Sequence, residues 1–412
     1  MIIRKQPTDF LVHEQTTPAW DAGLSLSPTD RSRFAIFRVT KASMTTPDAA
    51  SHLARALGVR VQHVAYAGLK DKHAQTTQCM SVQDWKPAST ASNPFVVQLS
   101  APRVANAESP ASENALHKHN ASINQAELVG FTERPIEARD IAANAFEITL
   151  RDLERKDFNT FVQRLDLLST SLEEARAILV PNYFGDQRFG SARHGKGFAA
   201  EALLKGDFET ALRLTIATPD RKDTGVQRTF TRTLASNWGD WKRLAKELPR
   251  TPNRKAVESL ATCASTPTQE DFRKAFTELP FTLQELIIDA YQSAAWNDAL
   301  AAKLRAISQD AATTLSCTTD FGTLVFPGTI DPSLRRVTLD LPLADARIPN
   351  LRRPAFAQGS RACCVLARKV SLSPLEKDTL CTRPKPRGMC TLRCELPSGS
   401  YVTTLLRAIG QK

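Results

Sequence analysis

The residue pattern predicts an α+β protein in which one β-rich domain is interrupted by a nested, mostly helical one. Three observations carry that expectation. Period-two apolar segments cluster in the first 165 residues, helical periodicity dominates from about 155 to 345, and strand-like segments return after Ile348. The expected domain divisions are therefore 1–165 and 346–412 for the two parts of the β-rich domain and 166–345 for the helical one. At 412 residues the chain can give each domain a core of its own.

The elements follow in order. Residues 7–14 (P-T-D-F-L-V-H-E) alternate as a strand does, and residues 34–39 (F-A-I-F-R-V) form a second strand. A helix is expected to start at Thr46-Pro47-Asp48. Thr46 can cap it, Pro47 suits its first turn, Ala49, Leu53 and Leu57 repeat at four-residue spacing, and Gly58 ends it. Val64-Ala65-Tyr66 then leads as a strand into a polar loop around Asp71. Residues 86–125 shift to Ala, Ser, Asn and Pro, with only 95–99 resembling a strand, and are expected to be an exposed insertion. Order resumes at Glu127 and runs into the alternating segment A-F-E-I-T-L at 145–150. In the helical block Leu286, Ile287, Ala290, Tyr291 and Ala294 make one apolar stripe, continued by Trp296 and Leu300. Residues 363–366 and 390–396 suit buried strands, and Ser398-Gly399-Ser400 suits a turn and cap before a last helix with Leu405, Leu406 and Ile409.

Charge points toward a polyanion. The chain carries 54 Lys and Arg against 43 Asp and Glu, a net of +11. Residues 346–412 hold 13 bases and 3 acids, leaving a net of only +1 for the first 345 residues, so this stretch is expected to form one wall of a polyanion site. No apolar run is long enough to cross a membrane, and the N-terminus lacks a signal-peptide core, so a soluble cytoplasmic protein with no membrane partner is expected. Eight cysteines are too sparse for a disulfide scaffold at this length. The last five contain no CxxC pair, and Cys390 and Cys394 alternate with Leu392 and Leu396 as packing residues do, so no metal is expected.

The most informative stretch is A-Y-A-G-L-K-D-K-H-A-Q-T-T-Q at 65–78. It sets Asp71 between Lys70 and Lys72, where two cations favour the ionised carboxylate, and Gly68 eases the turn. On charge pattern alone a solvated turn with an incidental Lys-Asp-Lys is the better explanation. The run G-L-K-D-K-H-A-x-T-x-Q, however, resembles the catalytic signature of the TruD family of pseudouridine synthases, whose nucleophile is the Asp at this position.

Other blocks carry the same resemblance. Asn144-Ala145-Phe146 is similar to the family's N-x-F element, with Ala145 where a basic residue is more usual. By pattern alone Phe146 is a core residue of its strand; the resemblance implies a stacking platform for the target base, with Asn144 beside the nucleophile. The segment N-Y-F-G-D-Q-R-F-G at 182–190 matches almost residue for residue, implying substrate contacts from Phe184, Gln187 and Arg188. Aromatics with a guanidinium suit backbone grip and base stacking, and a hinge between domains is compatible with that. Weaker echoes are P-x-D-F-x-V-x-E at 7–14, Y-Q-S with Trp296-Asn297 at 291–297, and L-P-S-G-S-Y at 396–401. A phosphate-loop spacing, G-S-A-R-H-G-K-G at 190–197, ends in glycine and so lacks the hydroxyl that would reach Mg²⁺.

The resemblance implies a pseudouridine-synthase α+β core with a mixed, mainly antiparallel sheet, and a nested helical insertion domain. It implies an enzyme that needs no cofactor and isomerises uridine to pseudouridine in transfer RNA, uridine 13 being the expected target; a monomer is expected, though no motif fixes the oligomeric state. Asp71 would be the nucleophile, Lys70 its charge partner, and Lys72 a phosphate contact if Lys70 is the residue that points inward. The rival from another class is a non-catalytic RNA-binding protein of the same fold.

Overall fold

The computed structural model describes residues 1–87, 95–99, 124–169, 176–192, 196–220, 223, 225–308 and 311–411. Most of the expected insertion at 86–125 and part of the 190–197 loop lie outside these residues. Two compact units emerge: Met1–Ile178 with Leu366–Ser400, and Leu179–Val365 with Tyr401–Gly410.

In the first unit the strands are β1 (Phe10–Thr16), β2 (Phe34–Ala42), β3 (Val64–Tyr66), β4 (Gln75–Gln83), β5 (Val96–Gln98), β6 (Gln125–Thr132) and β7 (Ile141–Leu153). Helix α1 (Pro18–Ala22) follows β1, and α2 (Thr46–Ala56) follows β2. The chain leaves through β8 (Ile178–Pro181), and the second unit contributes β9 (Leu315–Thr319), β10 (Gly322–Phe326), β11 (Thr338–Asp340) and β12 (Ser360–Ala362). It returns through β13 (Cys364–Leu372), β14 (Glu376–Lys377) and β15 (Gly388–Pro397).

The sheet order runs β5-β6-β2-β4-β1-β7-β15-β13, with β3 beside β4 and β14 beside β15. The pairing of β1 with β4 is parallel, while β1–β7, β2–β4, β2–β6 and β7–β15 are antiparallel. The sheet is thus mixed and mainly antiparallel. On one face Ala35, Phe37, Val39, Met80 and Val82 bury against Ala49, Ala50, Leu53 and Ala54 of α2. On the other, Ile36 packs with Trp20, Ile136 and Ile141. Side chains alternate between the two faces along β2, which separates these two cores although Ala35, Ile36 and Phe37 are all buried.

Several local expectations are corrected. Residues 7–9 form a 3-10 turn, because the Asp9 carboxylate accepts the main-chain N–H groups of Lys5 and Gln6, and β1 starts only at Phe10. Thr45, not Thr46, caps α2 by accepting from the Asp48 N–H at 3.2 Å. That leaves the buried Thr46 hydroxyl for another task. Neither Ser398 nor Ser400 caps the last helix, Val402–Ala408, whose N-cap is Tyr401; the expected turn does form, with Gly399 at φ +78°.

In the second unit the helical core gathers Phe208, Leu212, Phe230, Leu244, Phe272 and Phe276 among others. The helix Phe281–Ile307 runs alongside, burying Ile287, Ala290, Ala294, Trp296 and Leu300, but Leu286 is 45% exposed and lies off the stripe. The helical periodicity also gave no sign of the hairpin β9–β10, which is short and carries mostly threonines and small residues. The basic stretch 346–412 is divided between the units. Within it Lys369, Arg387, Arg393 and Arg407 pair with Glu395, Glu154, Glu147 and Asp186, so part of its charge is neutralised internally.

Candidate active site

Strand register builds the site. Lys41 lies opposite Thr76, Thr76 beside Val12, Val12 opposite Phe146, and Phe146 opposite Cys394. Residues in one lateral row share a face, and residues two further along each strand share it too. Gln78, Glu14 and Asn144 therefore face the same way as this row, and Glu14 is directly opposite Asn144. The apolar core under α2 covers one part of this face, and the polar part lies next to it.

Asp71 sits in the connection between β3 and β4, on a loop tied down from that face. Gln78 Nε2 donates to the Gly68 carbonyl at 3.2 Å. The Thr46 hydroxyl accepts from the Lys70 N–H at 2.9 Å and donates to Gln78 Oε1 at 3.1 Å. Lys41 Nζ donates to the carbonyls of Asp71 at 3.0 Å and Lys70 at 3.4 Å. Gly68 does not owe its place to conformation: it has no left-handed φ, and a Cβ there would meet nothing within 4 Å.

The Asp71 carboxylate is held at both oxygens. Oδ1 accepts the His73 N–H at 2.9 Å, and Oδ2 pairs with Arg4 at 2.7 Å. The carboxylate side chain is 14% exposed. Lys70, the expected charge partner, turns elsewhere: its ammonium pairs with Glu14 at 2.7 Å and donates to Asn144 Oδ1 at 2.6 Å. Though adjacent in the loop, Lys70 and Asp71 thus find different partners. Lys72 and His73 are exposed.

Arg4 reaches the site because the N-terminal segment is anchored on either side of it. Ile2 bridges to Arg151 through paired main-chain hydrogen bonds. Asp9, which closes the turn at 7–9, accepts from Arg151 at 2.9 Å, and Arg151 also binds Asp378 at 2.9 Å. Between these anchors the Arg4 guanidinium lies 4.4 Å over the Phe10 ring, and Phe10 meets Phe146 edge to face at 6.3 Å. Phe146 is half-buried.

An oriented carboxylate, an aromatic ring and an amide thus share one corner of the sheet. Because Asn144 Oδ1 accepts from Lys70, its NH₂ group is turned to donate. Arg4 and Lys70 are each ion-paired at this corner, with Asp71 and Glu14 respectively.

Phe184, Gln187 and Arg188 belong to the second unit. Asn297 pins the Phe184 backbone on both sides, accepting from its N–H at 2.8 Å and donating to its carbonyl at 3.0 Å. Trp296 Nε1 donates to the Asn182 carbonyl at 3.2 Å, and the Y-Q-S helix is thereby the support of the N-Y-F-G segment. Arg188 pairs with Asp289 at 2.8 Å, and Arg361 lies 4.2 Å over the Phe184 ring. Gln187 is exposed.

Arg4 and Lys41 had no role assigned from sequence, and Thr46 was expected to cap α2 rather than to join Gln78 in holding the loop. For Lys41 a signal existed, a lysine in phase with the inward Ala35, Phe37 and Val39 of its strand. For Arg4 none did, since its neighbours in sequence are unpatterned. Among the described residues no group of three or more His, Cys, Asp or Glu is set to hold a metal, and no described helix is long and apolar enough to cross a membrane.

The model of the family described as tRNA pseudouridine synthase D (TruD) matches residues 1–314. The chain is 27% identical to "tRNA pseudouridine synthase D" of Aquifex aeolicus, the match covering 72% of this chain and 64% of that protein. It is also 27% identical to "Probable tRNA pseudouridine synthase D 1" of Methanococcus maripaludis, covering 73% of this chain and 65% of the relative. The chain thus spans a little under two thirds of these two relatives. A solved structure from Methanosarcina mazei with a TruD title superposes over 99% of this chain and 92% of that one, with a TM-score of 0.58 at 22% identity, a likeness of fold.

Proposed function

The chain belongs to the TruD family, and from that premise we propose that it isomerises uridine to pseudouridine in transfer RNA, uridine 13 being the first candidate, with Asp71 as nucleophile. The observation that carries this reading is the Asp71 carboxylate itself, 14% exposed, bound at both oxygens and linked through Arg4 and Phe10 to the half-buried Phe146.

The reaction breaks N1–C1′, turns the uracil, and joins C5 to C1′; the C5 hydrogen leaves as a proton and N1 gains one, so the product is an isomer. A carboxylate attacks C1′ or the base, and it must be fixed and shielded while it does so. Arg4 and the His73 N–H orient Asp71. A target base has to leave its stack to reach it, and Phe146 offers the face that receives it, stacking of this kind being worth about 1–3 kcal/mol per base. Asn144, turned by Lys70, donates to a uracil carbonyl. Lys72 and the second-unit residues Phe184, Gln187 and Arg188 contact the RNA outside the flipped nucleotide, which suits recognition by shape and phosphates.

The test is tritium release from transfer RNA labelled at C5 of uridine. Release by the natural protein and none by Asp71→Asn, with RNA affinity kept, is the expected outcome. Binding without release by the natural protein would instead support the rival, a non-catalytic RNA-binding protein.

A further inference from the structure

Lys41 is wholly buried, 0% exposed, on a strand face otherwise given to Ala35, Phe37 and Val39. Its ammonium has three donors, and three main-chain carbonyls accept them: Met44 at 2.8 Å, Asp71 at 3.0 Å and Lys70 at 3.4 Å. All three acceptors are neutral. A lysine buried only for packing would be an unusual choice, because a desolvated charge is costly unless every donor is used. Here the use is specific, since two of the three bonds end on the backbone of Asp71 and its neighbour.

We infer that Lys41 is a positioning residue for the Asp71 loop, fixing through main-chain carbonyls the backbone that presents the Asp71 carboxylate. The inference rests on the reading of Asp71 as nucleophile. Lys41 touches no reacting atom; it acts through the loop, together with Thr46 and Gln78, which hold Lys70 and Gly68.

The charge state of Lys41 makes this device pH-dependent. Burial lowers its pKa from the usual lysine range to about 8, against the attraction of Asp71, with Lys70 adding to the lowering and Asp48 of α2 opposing it. On β4 its lateral neighbour is the uncharged Thr76. Below about 8 the ammonium is protonated and all three carbonyls are bound. Above it the neutral amine keeps two donors, one carbonyl loses its partner, and the loop loosens.

Lys41→Met in the full chain tests the inference through two readouts. Amide hydrogen exchange at residues 68–73 is expected to rise while protection in the cores of β2, β4 and β7 is kept. Single-turnover tritium release is expected to fall about 100-fold, the cost of a small misplacement of a reacting group, with RNA affinity within about threefold. Unchanged exchange at 68–73, or a loss of affinity with the rate retained, overturns the positioning role. Should the variant not fold, the natural protein decides: its single-turnover rate is expected to decline above about pH 8, approaching tenfold per pH unit, with its circular dichroism intact. A flat rate up to pH 9.5 overturns the inference. If the natural protein releases no tritium at all, the functional reading fails, whereas the exchange result still decides what Lys41 does to the loop.

Discussion

The Arg4 guanidinium is the ion-pair partner of Asp71, 2.7 Å from Oδ2, while its other contact is the face of Phe10 at 4.4 Å. One side chain therefore links the orientation of the carboxylate to the aromatic pair Phe10–Phe146. Arg4→Gln is expected to lower kcat/KM for tritium release on the order of 100-fold, the usual effect of removing one preorganised donor, and Arg4→Lys to lose less. Rates within threefold of the natural protein for Arg4→Gln would show that His73 alone orients Asp71.

Glu14 is 1% and Lys70 12% exposed in their ion pair, so removing one partner strands the other in a dry site. Glu14→Leu is expected to cost about 3–5 kcal/mol in urea unfolding, and the double change Glu14→Leu/Lys70→Met to recover most of it. Activity should stay low in the double variant, because Asn144 has lost the donor that turns its amide. A double variant as unstable as Glu14→Leu would contradict the pairing.

Gly185 is a place of close approach. A Cβ there would come within 2.7 Å of Thr403 Oγ1 and 2.8 Å of Tyr401 Cδ1. Gly185→Ala is expected to destabilise the second unit by about 1–3 kcal/mol through overpacking, and Thr403→Ala to relieve part of it. The urea midpoint of the two variants measures this; no shift in Gly185→Ala would mean that the contact yields freely.

Asp140 supplies an acid-limb prediction. Its bidentate hydrogen bonds from Arg134, at 2.6 and 2.7 Å, hold its carboxyl below the usual range despite burial, with help from the Glu137 N–H. Since the folded-state value lies below the unfolded reference of about 3.9, this stabilisation is complete above that reference and disappears as pH falls through the folded value. Asp140→Asn should therefore be less stable at neutral pH, and its stability should fall less steeply below about pH 4. Parallel stability–pH curves for the two proteins would rule this out.

How much of this was legible in the sequence differs from residue to residue. The Asp71 loop was, because strand β3 and a polar turn are each marked locally, whereas strand β4, with its mixed polar and apolar residues, was not. The alternating strand at 145–150 was legible too; that Asn144 continues it, on the face of Phe146, follows from the pairing with β1. The turn at 398–400 and the strand at 390–396 were equally local. The cap of α2 was missed by one residue, since two adjacent threonines offer the same chemistry and only the path of the chain chooses between them.

By itself the sequence determined the α+β class, the two β-rich blocks around a helical one, and the motif that bears Asp71, because periodicity, turn residues and motif spacing are properties of neighbouring residues. The tertiary structure alone decided that Arg4 rather than Lys70 meets Asp71, that Lys70 serves Glu14 and Asn144, and that Lys41 lies beneath the loop. Those partnerships depend on sheet register and on where the anchored N-terminal segment is laid, and neither is encoded within the few residues that surround each side chain.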